Sequence, residues 1–151
     1  MLVLVWFIRN HTGSFYGAAA LKVLARDAEQ AECLAFLFGA QWCLELDLNN
    51  ITLEGDCRNV VNAITSQFCF VKWENSGIEK DCKYLLLQTQ KFQGCRYVNR
   101  KANRVADLLA RYACKTFNIG SDDMVQWIHT PPSLLFDVLN SDTMYVQSCS
   151  Q

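Results

Sequence analysis

The most constraining feature of the sequence is an unbroken apolar run near its beginning, LVLVWFI at residues 2–8. Three of its members, Val3, Val5 and Ile8, are β-branched, which favours a strand. The letters that follow, NHTG, are typical of a turn and lead into FYGAAALKV. The pattern predicts a β-hairpin. Because both faces of the first strand are apolar, we expect that strand to lie in the interior of a sheet covered by helices.

Helical and strand patterns alternate along the rest of the chain. Helices are predicted at 27–46, 57–68, 75–90 and 101–117, and short strands at 51–56 and 91–98. This alternation predicts the α/β class. The total of 151 residues is enough for one domain with one core.

The last part of the chain differs in composition from the rest. After residue 117 there is no Lys or Arg, and Trp127 is followed by a Pro131-Pro132 break and the apolar segment SLLFDVL. We therefore predict a domain over residues 1–117 and a C-terminal extension over 118–151. The extension is expected to dock on the domain or on a protein partner.

Positive charge is concentrated in one segment. Between Lys91 and Lys115 there are seven bases and a single acid, Asp107, so this segment carries about +6 while the remainder carries about -7. Such a segment can bind phosphate even though the formal net charge of the chain is -1. It can equally be the solvated face of a helix next to an acidic neighbour, and the charge alone does not decide between the two.

The cysteines indicate a reducing environment. None of the eight belongs to a CxxC pair or to a Cys/His cluster at zinc-ligand spacing, and several lie inside apolar patterns, where a free Cys is a small buried hydrophobe. The run at residues 2–8 is too short to span a membrane and is a weak secretory signal. We expect an intracellular protein, nuclear or cytoplasmic, with no membrane association.

Three carboxylates are candidates for chemistry, and each has a plain structural alternative. Glu32 falls about 40° from the centre of an apolar helix face, where it either joins the packed side or turns its head to water. Asp56 follows a predicted strand and precedes a helix, a position that suits both ligand binding and an N-cap. Asp107 borders the buried stripe of the 101–117 helix, where it could simply complement the helix dipole.

Taken in order with their surroundings, these acids resemble a known family. The stretches AEQAECLAFLFGAQW, LEGDCRNVVNAI and YVNRKANRVADLLARYA are similar to the three motifs of ribonuclease H-like domains, and FIRNHTGSFYGAAA resembles a hairpin of the same domains. The closest likeness is to plant ribonuclease H type-1 domains related to the reverse transcriptases of non-LTR retroelements. The resemblance covers essentially the whole chain, including a short C-terminal extension with Trp127.

The resemblance implies a fold, a reaction and a set of residues. The fold would be a mixed five-stranded sheet with helices on both faces, and the reaction would be endonucleolytic cleavage of the RNA strand of RNA–DNA hybrids with two Mg²⁺ ions. Two such cations about 4 Å apart hold the attacking water and the leaving oxygen of an in-line displacement. The pattern assigns the catalytic and metal-binding roles to Glu32, Asp56 and Asp107. Residues expected to meet the nucleic acid are Arg96, Arg100, Lys101, Asn103 and Arg104.

One part of the family pattern has no counterpart in this sequence. The family places a further Asp on a first, central strand before the hairpin, whereas here no acid occurs before Asp27. We therefore expect the first strand to be missing and hybrid cleavage by this chain to be absent or severely impaired. The chain would then be a fragment of an active enzyme, a degenerate domain that binds nucleic acid without cutting it, or a protein-interaction remnant that acts through 118–151.

Overall fold

A computed structural model describes residues 2–89, 92–116 and 124–139. Its strands and helices, in chain order, are β1 (Leu2–Arg9), β2 (Phe15–Val23), α1 (Ala28–Glu45), β3 (Thr52–Gly55), α2 (Arg58–Thr65), α3 (Ser76–Gln88), β4 (Gly94–Tyr97), α4 (Arg104–Thr116) and β5 (Met124–Ile128). Short 3-10 helices span Trp73–Asn75, Arg100–Asn103 and Ser133–Leu135. The α/β class is confirmed, and the arrangement is consistent with the ribonuclease H-like fold that the resemblance implies.

The described strands form two sheets. One is an antiparallel sheet in the order β1-β2-β5, and the other is a parallel pair of β3 and β4. Both antiparallel and parallel pairings are present, as the expected mixed α/β fold requires, and among the described residues they lie in separate sheets. The chain divides into two compact units accordingly: unit 1 consists of Met1–Leu24 and Arg104–Gln151, and unit 2 of Ala25–Asn103.

The predicted hairpin is confirmed in unit 1. The Asn10 side-chain oxygen accepts hydrogen bonds from the backbone N–H groups of Thr12 (3.0 Å) and Ser14 (2.9 Å), and Gly13 takes the left-handed conformation with φ 83°. The prediction that the first strand is interior is wrong for this sheet, because in the described part of unit 1 β1 pairs with β2 alone. The interior strand is β2, whose consecutive alanines 18–20 are fully buried.

Unit 1 closes its core with residues from the C-terminal part of the chain. Helix α4 contributes Val105 and Leu109, and the segment after the second proline contributes Leu135 and Val138, all packed around Ala18 of β2. Strand β5, which the sequence patterns do not predict, pairs with β2 and places Trp127 against the same core. The described part of 124–139 therefore belongs to the packed structure of unit 1.

Unit 2 is built around helix α1. Asp27 caps this helix by accepting a hydrogen bond from the Gln30 N–H (2.9 Å), so the predicted start is confirmed. The periodicity predicts a packed face with Ala28, Ala35, Gly39, Trp42 and Leu46; of these Gly39 and Trp42 are buried and Ala28 is exposed, and the buried face also includes Phe36, Ala40 and Cys43. The reason is that α1 packs against α3 as well as against β3, which turns its inward face toward those residues.

Candidate functional site

A close contact between α1 and β3 positions two of the predicted carboxylates. The ring of Phe36 lies over Gly55 so closely that a methyl group added at Gly55 would be 2.5 Å from Phe36 Cζ. Phe36 stands one helical turn after Glu32, and Gly55 directly precedes Asp56. The contact therefore brings the Glu32 turn of α1 to the carboxyl end of β3, where Asp56 begins the connection to α2.

Burial and charge act together on Glu32. Desolvation, with a smaller contribution from the negative charge of Asp56, raises the pKa of Glu32 from its ordinary 4.5 to about 7, and the positive charge of Arg100 opposes this rise. The side chain of Asp56 is itself only 15% exposed. Two carboxylates thus share a partly desolvated location in unit 2, and near neutral pH one of them is poised between its charged and neutral forms.

Arg100 is the cation next to this pair. It opens the 3-10 helix that follows β4, and its Nε lies 3.6 Å from Asp56 Oδ2. Its side chain is 88% exposed, so the ion pair is open to water on most sides. A guanidinium with these surroundings neutralises part of the carboxylate charge and keeps donors available to an anion in solution.

Asp107 lies in the other unit. It is in the first turn of α4, is 59% exposed, and forms an ion pair of 2.8 Å with Arg111, four residues later on the same helix. Its position in that turn confirms the predicted place near the N-terminus of a helix. Within unit 2 the structure brings Glu32 and Asp56 together, whereas Asp107 belongs to unit 1.

The carboxylates of Glu32 and Asp56 are the donor set that unit 2 would present to a magnesium ion. Among residues 2–89, 92–116 and 124–139, no group of three or more His, Cys, Asp or Glu side chains is arranged to hold a metal ion. Mg²⁺ keeps several of its waters, however, and proteins commonly bind it through one or two carboxylates together with substrate phosphates. The oxygen donors of Glu32 and Asp56 fit that chemistry.

The residues predicted to meet nucleic acid are divided between the two units. Arg96, Arg100, Lys101 and Asn103 lie in unit 2, and Arg104 begins α4 in unit 1. Asn103 is half-buried, and the four basic side chains are exposed. The exposure of four cations within nine residues is what binding to a phosphate backbone requires.

Two contacts organise these basic residues within unit 2. Arg96 forms an ion pair with Glu54, its neighbour across the parallel strands. The side chain of Asn99 accepts a hydrogen bond from the Lys101 N–H (2.8 Å), which holds the turn that carries Arg100. The direction in which this basic turn leaves β4 is therefore fixed by local hydrogen bonding.

Other features bear on the chemical environment of the chain. The seven cysteines in the part of the chain that the structure describes, from Cys33 to Cys114, are all free thiols. Burial raises the pKa of Cys33, Cys82 and Cys95 to about 12, so these thiols are unreactive at neutral pH. No helix in the described ranges is long and apolar enough to cross a membrane.

Comparison with known families adds the deciding observation. A profile of a family described as reverse transcriptase-like matches residues 3–113, more than two thirds of the chain. The chain belongs to this reverse transcriptase-like family. A comparison with curated proteins finds no match. Membership supports a ribonuclease H-like, nucleic-acid-binding domain for this family member.

Sequence patterns missed several residues that shape the site of this reverse transcriptase-like domain. Gly55 lets the ring of Phe36 approach the backbone closely. The only indication of this in the sequence was the position of Gly55 between a predicted strand and Asp56. Asn99 holds the turn that carries Arg100 and Lys101. Its position just before these bases indicated such a role only weakly. Arg58 lies over the ring of Tyr97 at 3.9 Å from the centroid and joins α2 to β4, and nothing in the periodicity indicated this contact.

Proposed function

We propose that this chain binds RNA–DNA hybrid through the backbone phosphates, using the basic segment 96–104, and that Glu32 and Asp56 hold Mg²⁺ beside that surface. The observation that carries the proposal is the position of Arg100, whose exposed guanidinium lies 3.6 Å from Asp56 and close enough to Glu32 to affect its charge. A phosphate-binding cation and a carboxylate pair thus adjoin each other in unit 2. Family membership supports nucleic acid as the partner.

The chemistry of the partner follows from the groups available. Arginine and lysine side chains interact with phosphate irrespective of base sequence, so affinity should depend strongly on salt and weakly on sequence. The 2′-hydroxyls of the RNA strand are the groups that would distinguish a hybrid from duplex DNA. Magnesium held by Glu32 and Asp56 would add positive charge toward the phosphates and supply the Lewis acidity of the family's reaction.

Hydrolysis by the 151-residue polypeptide is expected to be absent or severely impaired. The family reaction, as the resemblance implies it, uses four carboxylates and two metal ions, whereas the sequence offers Glu32, Asp56 and Asp107 and no acid before Asp27. With fewer carboxylates than the resemblance implies, this polypeptide would offer a second cation too few oxygen ligands. We therefore propose binding without efficient cleavage; a metal-binding role for Asp107, which lies in unit 1, stays a prediction.

Hybrid binding is tested by fluorescence anisotropy with a labelled RNA–DNA hybrid in EDTA, at several salt concentrations. The wild-type Kd should rise linearly with salt on logarithmic axes. The double variant Arg100→Gln/Arg104→Gln should bind more weakly and show a salt slope smaller by about 2, one for each phosphate contact removed. Lys80→Gln, which removes an exposed charge from α3, is the control and should leave the slope unchanged. Affinity independent of salt, or unaltered in the double variant, would refute the proposal.

A second candidate function is protein binding through the C-terminal extension. Met124 and Ile128 on β5 and Phe136 after the 3-10 helix are apolar side chains with 38%, 36% and 48% exposure. Because Leu135 and Val138 belong to the core of unit 1, deleting the whole extension would damage the fold. The sharper test replaces Met124, Ile128 and Phe136 with Ser. Loss of a co-purifying protein with unchanged circular dichroism would support this function, and retention would remove its support.

A further inference from the structure

The backbone around Arg100 directs this residue toward the carboxylate pair. Strands β3 and β4 are parallel, with Gly55 opposite Tyr97, so the segments that follow the two strands leave the sheet at the same edge. After β3 the chain continues into Asp56, and after β4 it continues into the turn that Asn99 holds by its hydrogen bond to the Lys101 N–H. Arg100 is therefore delivered next to Asp56 by strand register and turn geometry.

The contact itself is loose. The distance of 3.6 Å between Arg100 Nε and Asp56 Oδ2 exceeds that of a good charge-assisted hydrogen bond, and the guanidinium is 88% exposed while the carboxylate is 15% exposed. Ion pairs with an exposed member contribute little to stability because water and salt screen them. A divalent cation, with twice the charge and a preference for carboxylate oxygens, can replace such a partner.

The charges of these groups favour the replacement of Arg100 by Mg²⁺ at the two carboxylates. Glu32 and Asp56 together carry up to two negative charges, and the single positive charge of Arg100 compensates only part of them. A bound Mg²⁺ would compensate both carboxylates and would repel the guanidinium. Arg100 would then turn outward, where its donors are free to meet a phosphate oxygen.

We infer that Arg100 is the exchangeable counterion of the Glu32–Asp56 pair: Mg²⁺ displaces it from the carboxylates, and its donors, part of which already face solvent, then bind the phosphate backbone more strongly. The inference rests on the proposed function, since it assigns Mg²⁺ to this pair and phosphate to Arg100. It adds a regulatory consequence: Mg²⁺ frees Arg100 for a phosphate, and a phosphate that holds Arg100 frees the carboxylates for Mg²⁺, so each ligand favours binding of the other.

The test is an NMR titration of the full chain with MgCl₂, without nucleic acid, at about pH 8.5, where Glu32 with its pKa of about 7 is ionised. Backbone amide shifts of Glu32 and Asp56 report binding at the pair. Arg100→Gln should bind Mg²⁺ about three- to tenfold more tightly than the wild type, because a nearby positive charge has been removed. Arg100→Lys, which keeps the charge, and Lys80→Gln, which removes one elsewhere on unit 2, should stay within about twofold of the wild type.

Equal or weaker Mg²⁺ binding by Arg100→Gln would overturn the inference, as would the absence of amide shifts at Glu32 and Asp56 in both proteins. Asp56→Asn should abolish the shifts if they report this pair. Hybrid binding in EDTA is measured without metal, so the counterion inference can fail while the proposed binding of nucleic acid stands.

Discussion

At the scale of single residues, Glu32 is the most informative side chain. Its carboxyl is desolvated beside Asp56, which raises its pKa to about 7, and Arg100 only partly offsets this effect. A neutral carboxylic acid is a poor ligand for a hard cation. The metal-binding capacity of the pair should therefore grow as pH rises through 7.

The raised pKa of Glu32 also predicts how the free energy of unfolding depends on pH. The folded pKa of about 7 lies above the ordinary value of 4.5, so between these pH values the folded chain binds more protons at Glu32 than the unfolded chain does. The free energy of unfolding should therefore fall as pH rises from about 4.5 through 7, by on the order of 3 kcal/mol from this group.

Glu32→Gln isolates this contribution. The variant lacks the titrating group, so urea denaturation at about pH 5 and pH 8 in EDTA should show a smaller loss of stability with rising pH than in the wild type. At pH 8 the variant should be the more stable protein. An identical pH dependence in both proteins would show that Glu32 is not the buried acid described above.

At the scale of secondary-structure elements, the contact between α1 and β3 determines the site. Gly55→Ala places a methyl group 2.5 Å from the ring of Phe36, so one of the two elements has to move. We expect the free energy of unfolding to decrease by about 1–3 kcal/mol. Because Asp56 follows directly, magnesium-induced amide shifts at Asp56 should weaken as well.

Gly77→Ala is the matched control for that substitution. Gly77 is exposed in α3, and a methyl group there meets nothing within 4 Å. Alanine has the higher helix propensity, so this variant should be more stable than the wild type by about 0.5–1 kcal/mol. Denaturation curves in which Gly55→Ala behaves like Gly77→Ala would contradict the close packing of α1 on β3.

The C-terminal elements belong to the core of unit 1, which makes a separate prediction. Leu135 is completely buried against α4 and β2, so Leu135→Ala should lower the free energy of unfolding by about 2–5 kcal/mol. Phe136→Ala, at a neighbouring position with 48% exposure, is the control and should have a much smaller effect. A small loss in Leu135→Ala would mean that 124–139 is a dispensable appendage.

At the scale of the whole molecule, local patterns predicted the elements and long-range contacts determined the site. The hairpin and α1 followed from an apolar run and from Asp27 as an N-cap, signals that lie within a few residues of each other. The Asp107–Arg111 pair has the i, i+4 spacing of a helical ion pair. The approach of Arg100 to Asp56 depends on the parallel register of β3 and β4, elements separated by two helices, and no local pattern contains that information.

Strand β5 and the division of the strands into two sheets were not predictable for related reasons. In MVQWI the outward positions Met124 and Ile128 are apolar, so the alternation that usually identifies a strand is hidden. Which strands become neighbours depends on pairing over long sequence separations. Local patterns therefore placed Glu32 and Asp56 on their elements, and only the resemblance to a known family grouped them into one site.

We propose that this ribonuclease H-like chain binds RNA–DNA hybrid without cutting it efficiently. The most direct measurement incubates the purified 151-residue polypeptide with a hybrid labelled on its RNA strand in MgCl₂ and follows both complex formation and strand length by electrophoresis. The account predicts a salt-sensitive complex in which the RNA strand stays intact. RNA cleavage that disappears in Asp56→Asn, or no complex even at low salt, would contradict it.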